Sequence, residues 1–175
     1  MHQEALDFVA RVKERFPDSF VDKRVIEVGS RNINGTVRTF FSRCKYVGCD
    51  LGYGPCVDMV GHFADFYRID FADTIISCEA MEHDKRWIET LHAMINGLSV
   101  GGLLIITAGG PGRPEHGTHD HDPVSSPDTL DYYRNITEEL FRVAIDSHPD
   151  FVMADFKEYE FDVRDGDFRF WGMKA

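Results

Sequence analysis

Residues 25–35 read VIEVGSRNING, and the next apolar run, YVGCDLG at 46–52, carries a carboxylate, Asp50, close to its end. An apolar, β-branched run stops at Glu27 and Gly29, passes through a polar loop closed by Gly35, and gives way to TVRTFFSRC (36–44), which reads as a helix. Strand, glycine turn, helix N-terminus and a second strand ending in an acid are the parts of a nucleoside site. Glycine lets backbone approach a ligand with no Cβ in the way, and a carboxylate at the next strand tip accepts both ribose hydroxyls. The pattern implies a nucleoside cofactor before it says which one.

Working outward, strands and helices alternate through the first two thirds of the chain, as in a doubly wound α/β sheet. A helix over about 3–15 breaks at Phe16 and Pro17; strands are expected at about 23–29, 45–50 and 56–60, with a helix at about 35–43 between the first two. DTIISCEA (73–80) reads as strand four and HDKRWIETLHAMINGL (83–98) as a helix with Trp87, Ile88, Leu91, Met94, Ile95 and Leu98 on one core-facing stripe. GGLLIITAGG (101–110) is strand five, followed by a Gly, Pro, His and Asp loop over 109–127 and a helical stretch over about 127–147. The last two β-rich runs, FVMADFKEYEFD (151–162) and DFRFWGMKA (167–175), are joined by a turn at Asp165 and Gly166.

At 175 residues the chain has the length of one domain, 1–175, with no room for a separate substrate domain. Thirty Asp and Glu against 19 Lys and Arg give a formal charge of −11, which repels a polyphosphate backbone and argues against nucleic acid as a substrate. Cys44, Cys49, Cys56 and Cys78 show no CxxC pairing, so buried free thiols in a reducing cytoplasm are expected. No run approaches the ~18 apolar residues of a membrane span, and the N-terminal stretch is amphipathic rather than a signal peptide. The expectation is a soluble cytoplasmic protein with a small-molecule substrate.

A dinucleotide fingerprint is the first comparison, but between Gly29 and Gly35 stand Ser30, Arg31, Asn32, Ile33 and Asn34, so two of the three glycines of GxGxxG have no equivalent. Glu27 would also repel a pyrophosphate, whereas it suits a cation. At Glu27, Gly29 and Asp50 the chain resembles the class I S-adenosylmethionine-dependent methyltransferases, whose first motif sets an acid, one residue and a glycine after strand one and whose second motif is an acid ending strand two. The resemblance implies a Rossmann-like fold: a seven-stranded, mostly parallel sheet with a C-terminal antiparallel hairpin and helices on both faces. It implies Glu27 near the ammonium or sulfonium side of S-adenosylmethionine, Gly29 and Ser30 along the loop, and Asp50 on the ribose. Leu51, His62 and Phe63 would then flank adenine, and the backbone at Cys78 and Glu79 would pass the methionyl group.

A second constellation is CEAMEH (78–83), at the exit of strand four. A first helical turn places Glu79, Glu82 and His83, at i, i+3 and i+4, on one side. Two carboxylates and an imidazole suit Mg²⁺, Mn²⁺ or Zn²⁺. The spacing is similar to the ExxEH motif of metal-dependent 2′-O-methyltransferases of small RNAs and of ubiquinone-biosynthesis O-methyltransferases, families that complete the site with a histidine beyond strand five. Here that loop offers His116, His119 and His121, with His116 nearest the strand tip and Gly117 beside it for a tight return. As metal ligands the reading takes Glu79, Glu82, His83 and His116; as catalytic bases it takes His116, His83 and His119. Tyr132, Tyr133 and Arg134 are placed to close over a substrate, with core packing the competing role for the tyrosines.

Methyl transfer needs alignment, and a cation that lowers a hydroxyl pKa is most useful to a weak oxygen nucleophile. The expected reaction is O-methylation of a small hydroxylated molecule, a sugar diol or a catechol. The alternatives are a metal-independent methyltransferase, and a nucleoside-binding module or nicotinamide-dependent oxidoreductase.

Overall fold

Helix α1 (Gln3–Arg15) precedes five strands, β1 (Arg24–Val28), β2 (Lys45–Asp50), β3 (Met59–Val60), β4 (Ala72–Cys78) and β5 (Leu98–Gly109), with α2 (Trp87–Gly97) between the last two. Helix α3 (Glu138–Asp146) and the hairpin β6 (Phe156–Arg164) and β7 (Asp167–Lys174) follow. This is a computed structural model that describes residues 2–66 and 71–175. Seven strands form one sheet in the order β3-β2-β1-β4-β5-β7-β6; β1 to β5 pair in parallel, and β7 runs antiparallel between β5 and β6. The expected architecture is the observed one. Among the described residues no helix is long and apolar enough to cross a membrane.

Period-two alternation divides the core between the two faces. Val25, Ile76, Leu103 and Ile105 pack with Phe8, Val9 and Val12 of α1 and with Trp171 of β7. Their neighbours Ile26, Ile75, Leu104 and Ile106 point the other way, onto Met94 and Ile95 of α2 and Phe141 of α3. Covered on both sides, β4 and β5 become near-continuous apolar runs. The hairpin turn has positive φ at both Asp165 (57°) and Gly166 (80°), the conformation that a two-residue loop needs to follow the strand twist.

Three expectations change. The helix expected over 35–43 is a single 3₁₀ turn, Arg38–Phe40. Asn32 Oδ1 accepts the Gly35 N–H at 2.9 Å and Thr36 Oγ1 accepts the Arg38 N–H at 3.1 Å, local bonds that compete with helix nucleation. Tertiary contacts complete the diversion: Val37 is fully buried, Phe41 stacks on Phe20 with centroids 4.6 Å apart, and Lys13 of α1 donates to the Phe40 carbonyl. The helix expected over 127–147 shortens to α3, which starts where Thr137 Oγ1 caps the Leu140 N–H at 3.1 Å. Before it, residues 132–137 form an irregular strap held by Arg134 N–H to the Glu82 carbonyl and Ile136 N–H to the Gly109 carbonyl, both 2.8 Å. On α2, Ile88 is 40% exposed rather than core, because it lies about 100° around the helix from Trp87, at the edge of the stripe.

Glu27 of β1 is 2% exposed, and Tyr46 of β2 donates its hydroxyl to Glu27 Oε2 at 2.9 Å. Burial pushes the carboxyl up to about 7, against the pull of that hydrogen bond. Since the native value lies above the unfolded one, the folded state keeps a proton the unfolded chain has released, and stability falls as pH rises from about 4.5 to about 7, then levels off. Glu27→Gln removes this loss. Unfolding free energies from urea titration should therefore diverge in favour of the variant across that window, by on the order of 3 kcal/mol at pH 8; parallel stability curves from pH 5 to 8 would contradict it.

Candidate active site

The parallel strands β1, β2, β4 and β5 end on one edge of the sheet, and the loops leaving them line two adjoining clefts that share Gly29, Arg31, Ile33, Glu79, His83 and Ser125. In the first, Asp50 is held by the backbone: Oδ2 accepts the Arg31 N–H at 2.8 Å and Oδ1 the Gly52 N–H at 3.2 Å. Burial raises its carboxyl above the usual carboxylate range, and these two bonds oppose the shift. Leu51 stands at the rim, Phe63 is buried in the wall, and His62 Nε2 lies 3.0 Å from Asp84 Oδ1. Arg31 reaches across to an ion pair with Asp128 in the loop after β5, so that loop covers this cleft.

Gly29 lies at the junction. A Cβ there would come within 2.2 Å of the Ala80 Cβ, so its missing side chain lets the exits of β1 and β4 pack together. Ser30 and Cys78 are buried against the second cleft, with the Cys78 thiol pushed well up by burial. Glu27 borders the same cleft, which has a volume of about 430 Å³, within the ~300–1,000 Å³ of small-molecule sites.

Glu79 does not share a helical turn with Glu82 and His83. It takes a left-handed φ of 54° at the end of β4, and the 3₁₀ turn Met81–His83 begins only afterwards. Its Oε1 accepts the Thr107 hydroxyl at 2.8 Å and its Oε2 lies 2.7 Å from His2 Nε2. Burial pushes this carboxyl up, but His2 and Thr107 pull harder, and it sits below its ordinary value, while Glu79 raises His2. Arg113 completes the group, bonded to Asp167 with its Nη2 4.0 Å from Glu79. The sequence gives no signal for His2 or Arg113, which join Glu79 only through the tertiary fold.

Glu82, His83 and His116 do come together, with one ligand-capable atom from each within 4.8 Å of the others. Glu82 is fully buried; its Oε1 accepts the Gly109 N–H at 2.9 Å, and its Oε2 has no hydrogen-bond partner among the described residues. His83 Nδ1 and the Tyr133 hydroxyl are buried without a partner as well. Burial, with Glu79 nearby, pushes the Glu82 carboxyl up to about 8; burial, with His116 nearby, takes His83 down to about 4. The rings of His83, His116 and Tyr133 are mutually 4.8–5.5 Å apart. Gly117 makes the expected tight return at φ 66°, where a Cβ would strike the His83 ring at 2.7 Å. His119 and His121 are exposed and line neither cleft; His121 lies 3.6 Å from Glu115.

No family model and no curated protein matches the sequence. Solved structures do match in shape. A SAM-dependent methyltransferase from Archaeoglobus fulgidus superposes with a TM-score of 0.62 at 12% identity, covering 96% of this chain and 94% of that one. The 1,6-didemethyltoxoflavin-N1-methyltransferase of Burkholderia thailandensis, solved with 1,6-didemethyltoxoflavin and S-adenosylhomocysteine, gives 0.59 at 12%, covering 98% and 90%. The CurJ carbon methyltransferase gives 0.61 at 14%, covering 95% of this chain, which spans about half (52%) of that one. The chain has the Rossmann-like fold of these methyltransferases, with its mostly parallel seven-stranded sheet and C-terminal antiparallel pair.

Proposed function

We propose that the protein is an S-adenosylmethionine-dependent methyltransferase that acts on an oxygen of a small hydroxylated molecule, with Glu82, His83 and His116 holding a divalent cation. The observation that carries this reading is the continuity of the crevice: a backbone-held carboxylate with apolar walls at one end, and at the other His83 and His116, with the buried Glu82 beside them. Shape neighbours methylate carbon and nitrogen as their names state, so the choice of oxygen rests on the cluster and not on the fold.

The nucleoside end fits the cofactor. Each Asp50 oxygen spends one lone pair on a backbone N–H and keeps another for a ribose hydroxyl. Leu51 and Phe63 supply apolar contact for adenine, with His62 on the same wall. Glu27, Gly29, Ser30, Cys78 and Glu79 border the adjoining cleft where the methionyl part would lie, and the Glu27 carboxylate favours its positive charge. Bound S-adenosylmethionine supplies an already activated methyl group, so the protein's task is alignment, which contributes roughly 7–11 kcal/mol.

The cluster fits a cation. Glu82 Oε2 and His83 Nδ1 are buried donor atoms with nothing yet to bind, and two imidazoles with one carboxylate suit Mn²⁺ or Zn²⁺ better than Mg²⁺. A divalent ion there supplies Lewis acidity that brings a hydroxyl toward ionisation near neutral pH. Glu79 stays outside this set, engaged by His2 and Thr107, and His119 is too exposed to act in the crevice. A metal-independent enzyme is the second reading, in which His83, held neutral but weakly basic by burial, accepts a hydrogen bond from the substrate hydroxyl and orients it rather than removing its proton. Four free cysteines accord with a reducing cytoplasm, and the −11 charge with a partner other than nucleic acid.

Calorimetry with S-adenosylhomocysteine should show binding that Asp50→Ala weakens about tenfold or more, by loss of charged hydrogen bonds; binding of NAD in its place would end the methyltransferase reading. Titration with Mn²⁺ or Zn²⁺ should show affinity that Glu82→Ala and His116→Ala each lower about tenfold or more, with S-adenosylhomocysteine affinity nearly intact. Unchanged metal affinity in both variants would remove the cation.

A further inference from the structure

Glu27 is paired in register with Gly48 of β2, and Tyr46 stands two residues earlier on that strand, so period two sends both side chains to the α1 face of the sheet. The tyrosine ring is clamped. The Arg38 guanidinium lies over it, 4.7 Å from the centroid, and the Phe41 ring packs T-shaped against it at 5.3 Å. Arg38 is itself fixed, donating to the Tyr46 carbonyl at 3.3 Å and to Asp58 at 3.1 Å. The phenol therefore meets Glu27 from one direction and donates to Oε2 at 2.9 Å.

Glu27 borders the second cleft, and its other oxygen, Oε1, takes no hydrogen bond from a described residue. Unlike Glu82 Oε2 and Ser30 Oγ, it is not sealed from solvent, so it is the edge of the carboxyl left for a ligand. A carboxylate held on one oxygen and open on the other calls for a cation with hydrogens to donate. The α-ammonium of S-adenosylmethionine has them and its sulfonium does not. Burial raises this carboxyl to about 7, with Tyr46 and Arg38 pulling it down and Asp50 and Asp58 adding to the rise. From β4 the Cys78 thiol faces it, kept protonated by burial, and α1 buries only Ala5, Phe8, Val9 and Val12. Glu79, across the cleft, is engaged by His2 and Thr107.

We propose that Tyr46 is a positioning residue for the cofactor: by holding Oε2 it turns Glu27 Oε1 to the α-ammonium of S-adenosylmethionine, which binds the carboxylate form. Cofactor binding is then linked to release of the Glu27 proton. The inference rests on the methyltransferase reading and adds to it which charge of the cofactor Glu27 meets and what holds Glu27 to that task.

S-adenosylhomocysteine, which has the ammonium and no sulfonium, is titrated into the wild type, Glu27→Gln and Tyr46→Phe between pH 6 and pH 8.5. Beside it runs 5′-methylthioadenosine, which keeps the nucleoside and lacks the ammonium. Relative to Glu27→Gln, wild-type affinity for S-adenosylhomocysteine should rise about tenfold from pH 6 to pH 8 as the carboxyl ionises. Tyr46→Phe keeps the ring and loses a hydrogen bond to the charged form, so the rise should move up by about one pH unit. At pH 7 the variant should bind about fivefold more weakly, a gap that narrows toward pH 8.5. With 5′-methylthioadenosine neither the rise nor the gap should appear. A wild-type rise no steeper than that of Glu27→Gln overturns the inference whatever Tyr46→Phe does, and so does an unmoved profile in folded Tyr46→Phe or an equal rise with 5′-methylthioadenosine. A wild type that binds neither probe brings down the methyltransferase reading and this inference with it; binding of both without the proton-linked difference brings down the inference alone.

Discussion

The crevice exists because β1 has parallel partners on both edges, β2 on one side and β4 on the other. From that strand the chain winds outward in two directions, so beyond the contact of Gly29 with Ala80 the segments that follow β1 and β4 pass to opposite faces and a crevice opens between them. Every group in the candidate site hangs from this divergence. Asp50 sits at the tip of β2 and faces inward because Arg31 and Gly52 hold it; Glu82 and His83 follow β4; Tyr133 returns along the end of β5. The antiparallel entry of β7 beside β5 then seals the other flank and brings Asp167 up to Arg113.

Much of this was legible in the amino-acid order. β2 is Lys45–Asp50 as read, since a β-branched and aromatic run ends at an acid and a glycine, and the hairpin follows from Asp165 and Gly166. The ExxEH spacing and the histidine after strand five led to Glu82, His83 and His116, which the fold does bring together. Where sequence reading failed, side chains bonding to nearby backbone had displaced the regular element. Asn32 and Thr36 draw the backbone into local turns at Gly35 and Arg38, and Arg134 and Ile136 give their N–H groups to the Glu82 and Gly109 carbonyls. Glu79 belongs to the same class: periodicity assumes a continuous turn, and one left-handed residue breaks it. His2 offers no periodic signal, because its partner is 77 positions away.

Stability and function pull apart in the crevice. Glu27, Glu82, His83 and the Tyr133 hydroxyl are buried where apolar groups of similar size would cost less, and burial moves each of them away from its ordinary ionisation. The apolar layers on both faces of β4 and β5 offset that cost. A site of this kind sits on a rigid sheet because a looser scaffold would relax until the polar atoms found one another.

Helix α1 joins one wall of the crevice to a distant part of the fold. His2, at its N-terminal boundary, meets Glu79 beside the second cleft, while Lys13, in its last turn, grips the Phe40 carbonyl in the segment that follows the Gly29 loop. With about 1.5 Å of rise per residue, this 13-residue helix is a stiff strut about 20 Å long. The wall carrying Glu79 is therefore braced by a contact made a helix length away.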